Sequence, residues 1–146
     1  MIRLGLLCGL ISLATWAGAQ DKLDKKEVAK ELMPFQGTWK LVNLEVGGKP
    51  PASGIPDEVR FTFAGNKMSI KEGKGMPQDG TYSVDPKKEP NEIDLITPKN
   101  EKNLGIYKFD KDSKLTLCYF IKPNAMRPKK FGEAETVTIV LEKVKE

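Results

Sequence analysis

From residue 38 onward the chain alternates apolar and polar side chains in short runs, separated by clusters of Gly, Pro, Asn and Asp. Phe61 and Phe63 stand opposite Arg60 and Thr62, and Met68 and Ile70 stand opposite Lys67, Ser69 and Lys71. Tyr82 with Val84, Ile93 with Leu95, Leu115 with Leu117 and Tyr119, and Val137 with Ile139 and Leu141 continue one apolar face. A period of two places each set on one side of a strand. The pattern predicts eight strands, over 38–46, 59–64, 67–72, 81–84, 92–97, 104–109, 114–121 and 135–144. Gly65-Asn66 is a two-residue hairpin turn, Asp85-Pro86 starts another, and Gly73 to Gly80 reads as a loop. Connections this short, with no helix between strands, cannot make parallel crossovers. Eight one-sided strands bury their faces and lose their edges together by closing on themselves. The expected fold is therefore all-β: an eight-stranded antiparallel up-and-down barrel with one short N-terminal helix. A two-sheet sandwich is the alternative.

The first strand breaks the alternation. If Trp39 points inward, simple alternation sends Leu41, Asn43 and Glu45 inward and Val42, Leu44 and Val46 outward. A bulge that shifts the register explains this without placing polar groups in the core. Gly37 and Trp39 open that strand, and the pair suits the floor of a small barrel. Glycine permits a close backbone approach, and the large indole plugs the end.

Ahead of the strands, Met1-Ile2-Arg3, an uncharged apolar run from Leu4 to Trp16 and Ala17-Gly18-Ala19 read as an export signal, 1–19. The run is too short for a membrane span, so no stable insertion of the mature chain is expected. The mature protein is expected to be exported, to a periplasm or beyond the cell. An amphipathic segment occupies 20–35, with a helix over Asp21 to Met33 whose narrow apolar stripe is Val28, Ala29, Leu32 and Met33, and Pro34 ends it. The barrel domain then fills 36–146.

Composition narrows the chemistry. The chain has no histidine, which removes Ser-His-Asp and Cys-His catalysis and histidine metal sites. No catalytic residue, metal site or cofactor is predicted. A histidine-free hydrolase built on Glu92 and Asp94 ranks last, because both carboxylates are expected to face water with no partner. Once the signal is removed, Cys118 is the single cysteine, so no intrachain disulfide forms, and a buried apolar role for it is favoured over a reactive thiol. The formal charge of +4 is carried mostly by lysines mixed with acids, and only Arg60 and Arg127 follow the signal. Nucleic-acid binding favours clustered arginine with aromatics, so no nucleic-acid partner is expected. Asp110-Lys111-Asp112-Ser113 lacks the glycine and closing glutamate of a calcium loop and reads as a turn. Gly73-Lys74-Gly75 is not a phosphate loop, since no helix follows it.

An ordered set of short motifs spans Phe35 to Phe131: Gln36-Gly37-Thr38-Trp39-Lys40, Glu45-Val46-Gly47-Gly48-Lys49, Phe61-Thr62-Phe63-Ala64-Gly65-Asn66, Gly80-Thr81-Tyr82, Ile93-Asp94-Leu95, Gly105-Ile106-Tyr107, Leu115-Thr116-Leu117-Cys118 and Arg127-Pro128. In this order they resemble an uncharacterised lipocalin-like family of exported planctomycete proteins. The resemblance implies a lipocalin-like barrel, with no established activity or ligand. It also implies a floor contact of the kind lipocalins make between a tryptophan and a late arginine, here Trp39 and Arg127, with a solvent-exposed loop arginine as the alternative. A barrel of this size either fills itself or holds one small molecule. Trp39, Phe61, Phe63, Tyr82, Tyr107 and Tyr119 are the candidate lining residues, for an apolar ligand with a polar head near the tyrosine hydroxyls. The other reading is a structural or protein-interaction module with a filled core.

Overall fold

A computed structural model of the protein describes residues 30–145. The segment read as an export signal and most of the predicted helix, up to residue 29, lie outside the described residues. Residues 30–32 are helical and run directly into a 3-10 turn, Met33–Phe35. Pro34 therefore does not end the helical segment. It sits in the first turn of the 3-10 helix, where its missing N–H is not needed, and the turn carries on to Phe35.

Eight strands follow: β1 Gly37–Val46, β2 Val59–Ala64, β3 Lys67–Glu72, β4 Gln78–Asp85, β5 Asn91–Ile96, β6 Lys102–Phe109, β7 Leu115–Phe120 and β8 Thr136–Lys143. Each pairs antiparallel with the next, and β8 returns to β1, so the sheet is a closed barrel. The sandwich is ruled out.

The first-strand irregularity is a bulge. Leu41 pairs with Leu141, but Asn43 pairs with Val140, which leaves Val42 as the extra residue. The slip turns Leu44 toward the interior, where it packs beside Leu41 against the core, and it spares the barrel an inward Asn43.

β4 starts three residues earlier than its hydrophobic pattern suggests. Gln78, Asp79 and Gly80 pair with Ile70, Ser69 and Met68. Gly80 reads as a loop glycine in the sequence, yet it is a strand glycine at a close approach. A Cβ there would lie 2.5 Å from the carbonyl oxygen of Ile96.

The strand directions fix the two ends. The 65–66 turn, the 86–90 and 110–114 connections and the 3-10 turn gather at one end, the floor. The longer 47–58, 73–77 and 121–135 connections gather with 97–101 at the other end, the mouth.

Candidate functional site

The floor is built around Phe35, which is fully buried. The 3-10 turn swings its ring into the barrel end, where it lies 5.0 to 5.9 Å from the rings of Phe63, Tyr82, Tyr107 and Phe109. Leu32, one turn earlier, is buried beside it. Trp39 joins this layer: its indole Nε1 donates to the carbonyl oxygen of Phe35 at 2.6 Å, and its ring centroid is 6.3 Å from that of Phe109. The barrel end is thus plugged jointly by Phe35 and the indole.

Gln36 ties the plug to the sheet. Its Nε2 donates to the carbonyl oxygens of Leu32 and Gly65 and to the Tyr82 hydroxyl, and its Oε1 accepts the N–H of Gly65. Gly37 adopts φ +112°, a conformation that favours glycine, and a Cβ there would meet the Lys143 side chain at 3.0 Å.

Arg127 does not reach Trp39. The cation over the indole is Lys143, whose Nζ lies 5.6 Å from the ring centroid. Arg127 instead crosses the outer wall of β5 and β6. Its guanidinium donates to the carbonyl oxygens of Ile93 (3.1 Å) and Gly105 (2.7 Å) and to Asp94 Oδ1 (2.7 Å), and its Nε lies 3.5 Å from Glu92 Oε2. Glu92 and Asp94 are therefore not unpartnered acids facing water. They form the anionic half of this clamp, with Lys102 Nζ 3.4 Å from Asp94 Oδ2 on the other side. Partners more than twenty residues from Arg127 along the chain leave no local signal in the sequence.

The clamp anchors the 121–135 connection across the outer wall. Pro128 is buried against Ile106, and Lys108 Nζ sits 4.5 Å over the Phe131 ring. Cys118 pairs with Ile106 across β6 and β7 and faces outward, away from Leu117 and Tyr119, yet it is fully buried. The connection makes a small second core on the outside of the barrel, with Ile106 and Cys118 beneath it.

The inward-facing side chains change character from floor to mouth. Phe61, Phe63, Leu95, Leu117, Ile139 and Leu141 are buried in the lower and middle layers. At the mouth, Leu44, Val59, Ile70, Tyr119 and Val137 pack against that core but are only partly buried, as are Leu41 below them and Val84 and Phe109 toward the floor. The five at the mouth come from β1, β2, β3, β7 and β8, on the same face as Glu72, Gln78 and Asn103, and make up an upper ring, the cup. Among the described residues no lysine or arginine occupies an inward position in this upper half, and the Tyr119 hydroxyl has no hydrogen-bond partner. Three resolved concavities open on the outside of the strand wall, over Thr62, Ser69 and Thr81, at Ile121 and Met126, and around Arg127, and one opens at the floor beside Trp39, Phe109 and Lys143.

The six aromatic candidates thus divide. Trp39, Phe63, Tyr82 and Tyr107 belong to the packed floor, Phe61 lies above them in the core, and Tyr119 alone stands at the cup. Phe35, Gln36 and Lys143 complete the floor and carry no local chemical signature that would single them out. The Asp110 carboxylate accepts the backbone N–H groups of Asp112 and Lys114, so that segment is a hairpin turn. Among the described residues no group of three or more potential metal ligands occurs.

All three tyrosines ionise late. Burial pushes the Tyr82 phenol from 10.0 up to about 12, with the Gln36 hydrogen bond pulling slightly back. Tyr107 is raised by burial first and then by the Glu31 and Asp85 carboxylates, and Tyr119 by burial and then by Cys118. A phenol whose folded pKa lies above its unfolded value stabilises the fold fully below pH 10. That contribution is lost as pH rises through about 12. Alkaline titration followed by phenolate absorbance should show no tyrosine ionising at 10.0 while the barrel is folded, and a late step that coincides with unfolding. A folded protein whose phenols titrate at the ordinary value would contradict this packing.

No protein-family model, curated protein or solved structure matches this chain.

Proposed function

We propose that this protein is an exported, non-enzymatic, lipocalin-like binding protein whose cup takes a small neutral apolar molecule bearing one hydrogen-bonding group. The observation that carries the reading is the ring of five inward apolar side chains left partly uncovered at the mouth. At the floor Phe35 and Trp39 are fully buried, and Val84 and Phe109 are the partly uncovered ones there. Exposed inward-facing hydrocarbon favours an apolar guest, because each side chain that is covered gains the free energy of leaving water. The absence of an inward cation in the upper half disfavours a carboxylate guest, which would enter without a counter-charge. An unpartnered Tyr119 hydroxyl favours a guest that offers it an acceptor.

Nile red, a neutral apolar dye, should bind saturably to the purified protein with a blue-shifted emission. Val137→Trp, which fills the mouth from β8, should weaken that binding at least tenfold while leaving the far-UV circular dichroism intact. A dye that shows no saturable binding removes the reading.

A second reading has its own support. Three resolved concavities lie outside the strand wall, which favours a filled barrel that works through its outer surface. Dye binding that Val137→Trp leaves untouched would favour that alternative, since the probe would then sit on an outer groove.

A further inference from the structure

We infer that the outer groove at Ile121 and Met126 is the contact surface of a two-fold dimer of this chain. Phe120, Ile121, Lys122, Ala125, Met126 and Glu135 line it, and its volume is about 520 Å³. Met126 is 79 % exposed and Ile121 54 %, while Phe120 and Ala125 are half-buried.

These side chains are carried by a backbone that is tied down. The N–H of Ile121 donates to the carbonyl oxygen of Glu135 at 3.0 Å, which extends the β7–β8 pairing to the groove. Asn124 is held on β6 by two bonds: its N–H donates to the carbonyl oxygen of Lys102 (2.8 Å), and its Oδ1 accepts the Lys102 N–H (3.0 Å). Arg127, the residue after Met126, is fixed to β5 and β6 by its own clamp. Met126 is therefore gripped on both sides along the chain and still presents its side chain to water. Large apolar side chains that share one exposed groove mark a contact surface. A surface set in place beforehand loses little freedom on association, and an unbranched thioether adapts to whatever meets it. Met76, on the 73–77 connection, is more exposed still but does not line this groove.

Charge selects the partner. The groove carries one cation, Lys122, and one anion, Glu135. Among the described residues neither has an ion-pair partner. A groove of one sign would call for a partner of the other, such as a polyanion. A groove with one charge of each sign calls for an apolar surface that carries the same two charges in exchanged places. A second copy turned by a two-fold axis supplies that surface, because in such a contact each residue meets its counterpart's partner reciprocally. Ile121 and Met126 then pack about the axis, and Lys122 of each copy faces Glu135 of the other. Six lining residues are few against the roughly 20–30 a side of a standard interface, so the dimer is reversible, with a dissociation constant in the micromolar range. The groove lies outside the strand wall, so the inference does not rest on what the cup holds.

The test is sedimentation equilibrium of the full protein, as purified from cells, at loading concentrations from micromolar to near-millimolar. The parent should follow a monomer–dimer equilibrium with no larger species, since a two-fold contact closes on itself. Met126→Asp should weaken association at least tenfold by placing a charge at the buried centre, and Met76→Asp should leave it unchanged. Lys122→Glu and Glu135→Lys should each weaken it roughly tenfold, because like charges then face one another twice. The decisive result is their combination. The double exchange, and an equimolar mixture of the two single variants, should both associate within about threefold of the parent, since each restores both opposite-charge pairs. Circular dichroism checks that every variant is folded. A parent that stays monomeric throughout overturns the inference, as does a double exchange no stronger than the single variants. Should the parent be monomeric while Met126→Asp abolishes Nile red binding, the groove belongs to a small apolar molecule and not to a second copy.

Discussion

Phe35→Ala should be the most destabilising single substitution at the barrel floor, costing about 3–5 kcal/mol, the usual range for truncating a buried phenylalanine. The ring is fully buried and touches four aromatic partners from β2, β4 and β6, so its removal leaves a void that those strands cannot collapse to fill. The main-chain carbonyl that receives the Trp39 indole N–H is unchanged by the substitution, so the loss is one of packing and not of that hydrogen bond. Domains of this size are stable by about 5–15 kcal/mol, and the variant should therefore lose a large part of its margin. Urea unfolding followed by Trp39 fluorescence should show a lower midpoint with an unchanged slope. Phe35→Leu, which restores most of the volume, should recover all but about 1.5 kcal/mol. Met33→Ala, two residues away but largely exposed, should stay within about 0.5 kcal/mol of the parent. A Phe35→Ala midpoint close to the Met33→Ala midpoint would mean that the barrel does not depend on this plug.

The contrast between Phe35 and the strands shows where sequence pattern carries and where it stops. β2 and β3 have the limits that alternation and the Gly65-Asn66 turn assign to them. Both are set by neighbours in sequence: the turn dictates the register, and a one-residue slip would expose Phe61 and Phe63. The β1 bulge is legible for the same reason, since an extra residue resolves the local conflict between Trp39 and Leu44 without placing Asn43 and Glu45 inside the barrel. Gly80 misleads because a glycine marks a loop and a close backbone approach equally well, and only the position of Ile96 decides between them. Pro34 misleads in a similar way, for a ring that stops a helix in its interior is accepted in the first turn of one. Phe35, one residue beyond it, closes the amphipathic segment and opens the motif set, but as a single aromatic it has no periodicity to say where its ring points. Its role as the plug follows from the 3-10 turn that aims it. The cup is partly legible: Tyr119 and Val137 fall on the predicted inner face, but their partial exposure depends on barrel height, which a two-residue period does not encode.

Arg127 is the clearest case of a residue whose type is readable and whose partner is not, and it carries the second large expected effect. A lone late arginine suggests an ionic or cation–π contact, yet the tryptophan is served by Lys143, while Arg127 spends Nε, Nη1 and Nη2 on the wall of β5 and β6. Arg127→Ala leaves Asp94, itself mostly buried, with only the longer contact to Lys102, and it releases the 121–135 connection from the outer wall. Removing one partner of a well-buried pair costs about 3–5 kcal/mol, and the residual solvent access here lowers the expectation to about 2–3 kcal/mol. Arg127→Lys should recover less than half, because one ammonium cannot reach the carbonyls and both carboxylates that the planar fork spans. In a double-mutant cycle, Asp94→Ala in the Arg127→Ala background should cost less than it does alone, since the orphaned charge has gone. Cys118 supplies a readout that global stability does not. Its thiol is fully buried on the outward side of β7, and Ile106, its cross-strand partner, lies under Pro128. If Arg127 holds the connection down, Arg127→Ala should speed the reaction of Cys118 with an aromatic disulfide reagent well below the unfolding midpoint, whereas Phe35→Ala should do so only as far as it unfolds the barrel. Equal protection of the thiol in the parent and in Arg127→Ala would show that the connection keeps its place without the clamp, held by packing of Pro128 and Phe131 alone.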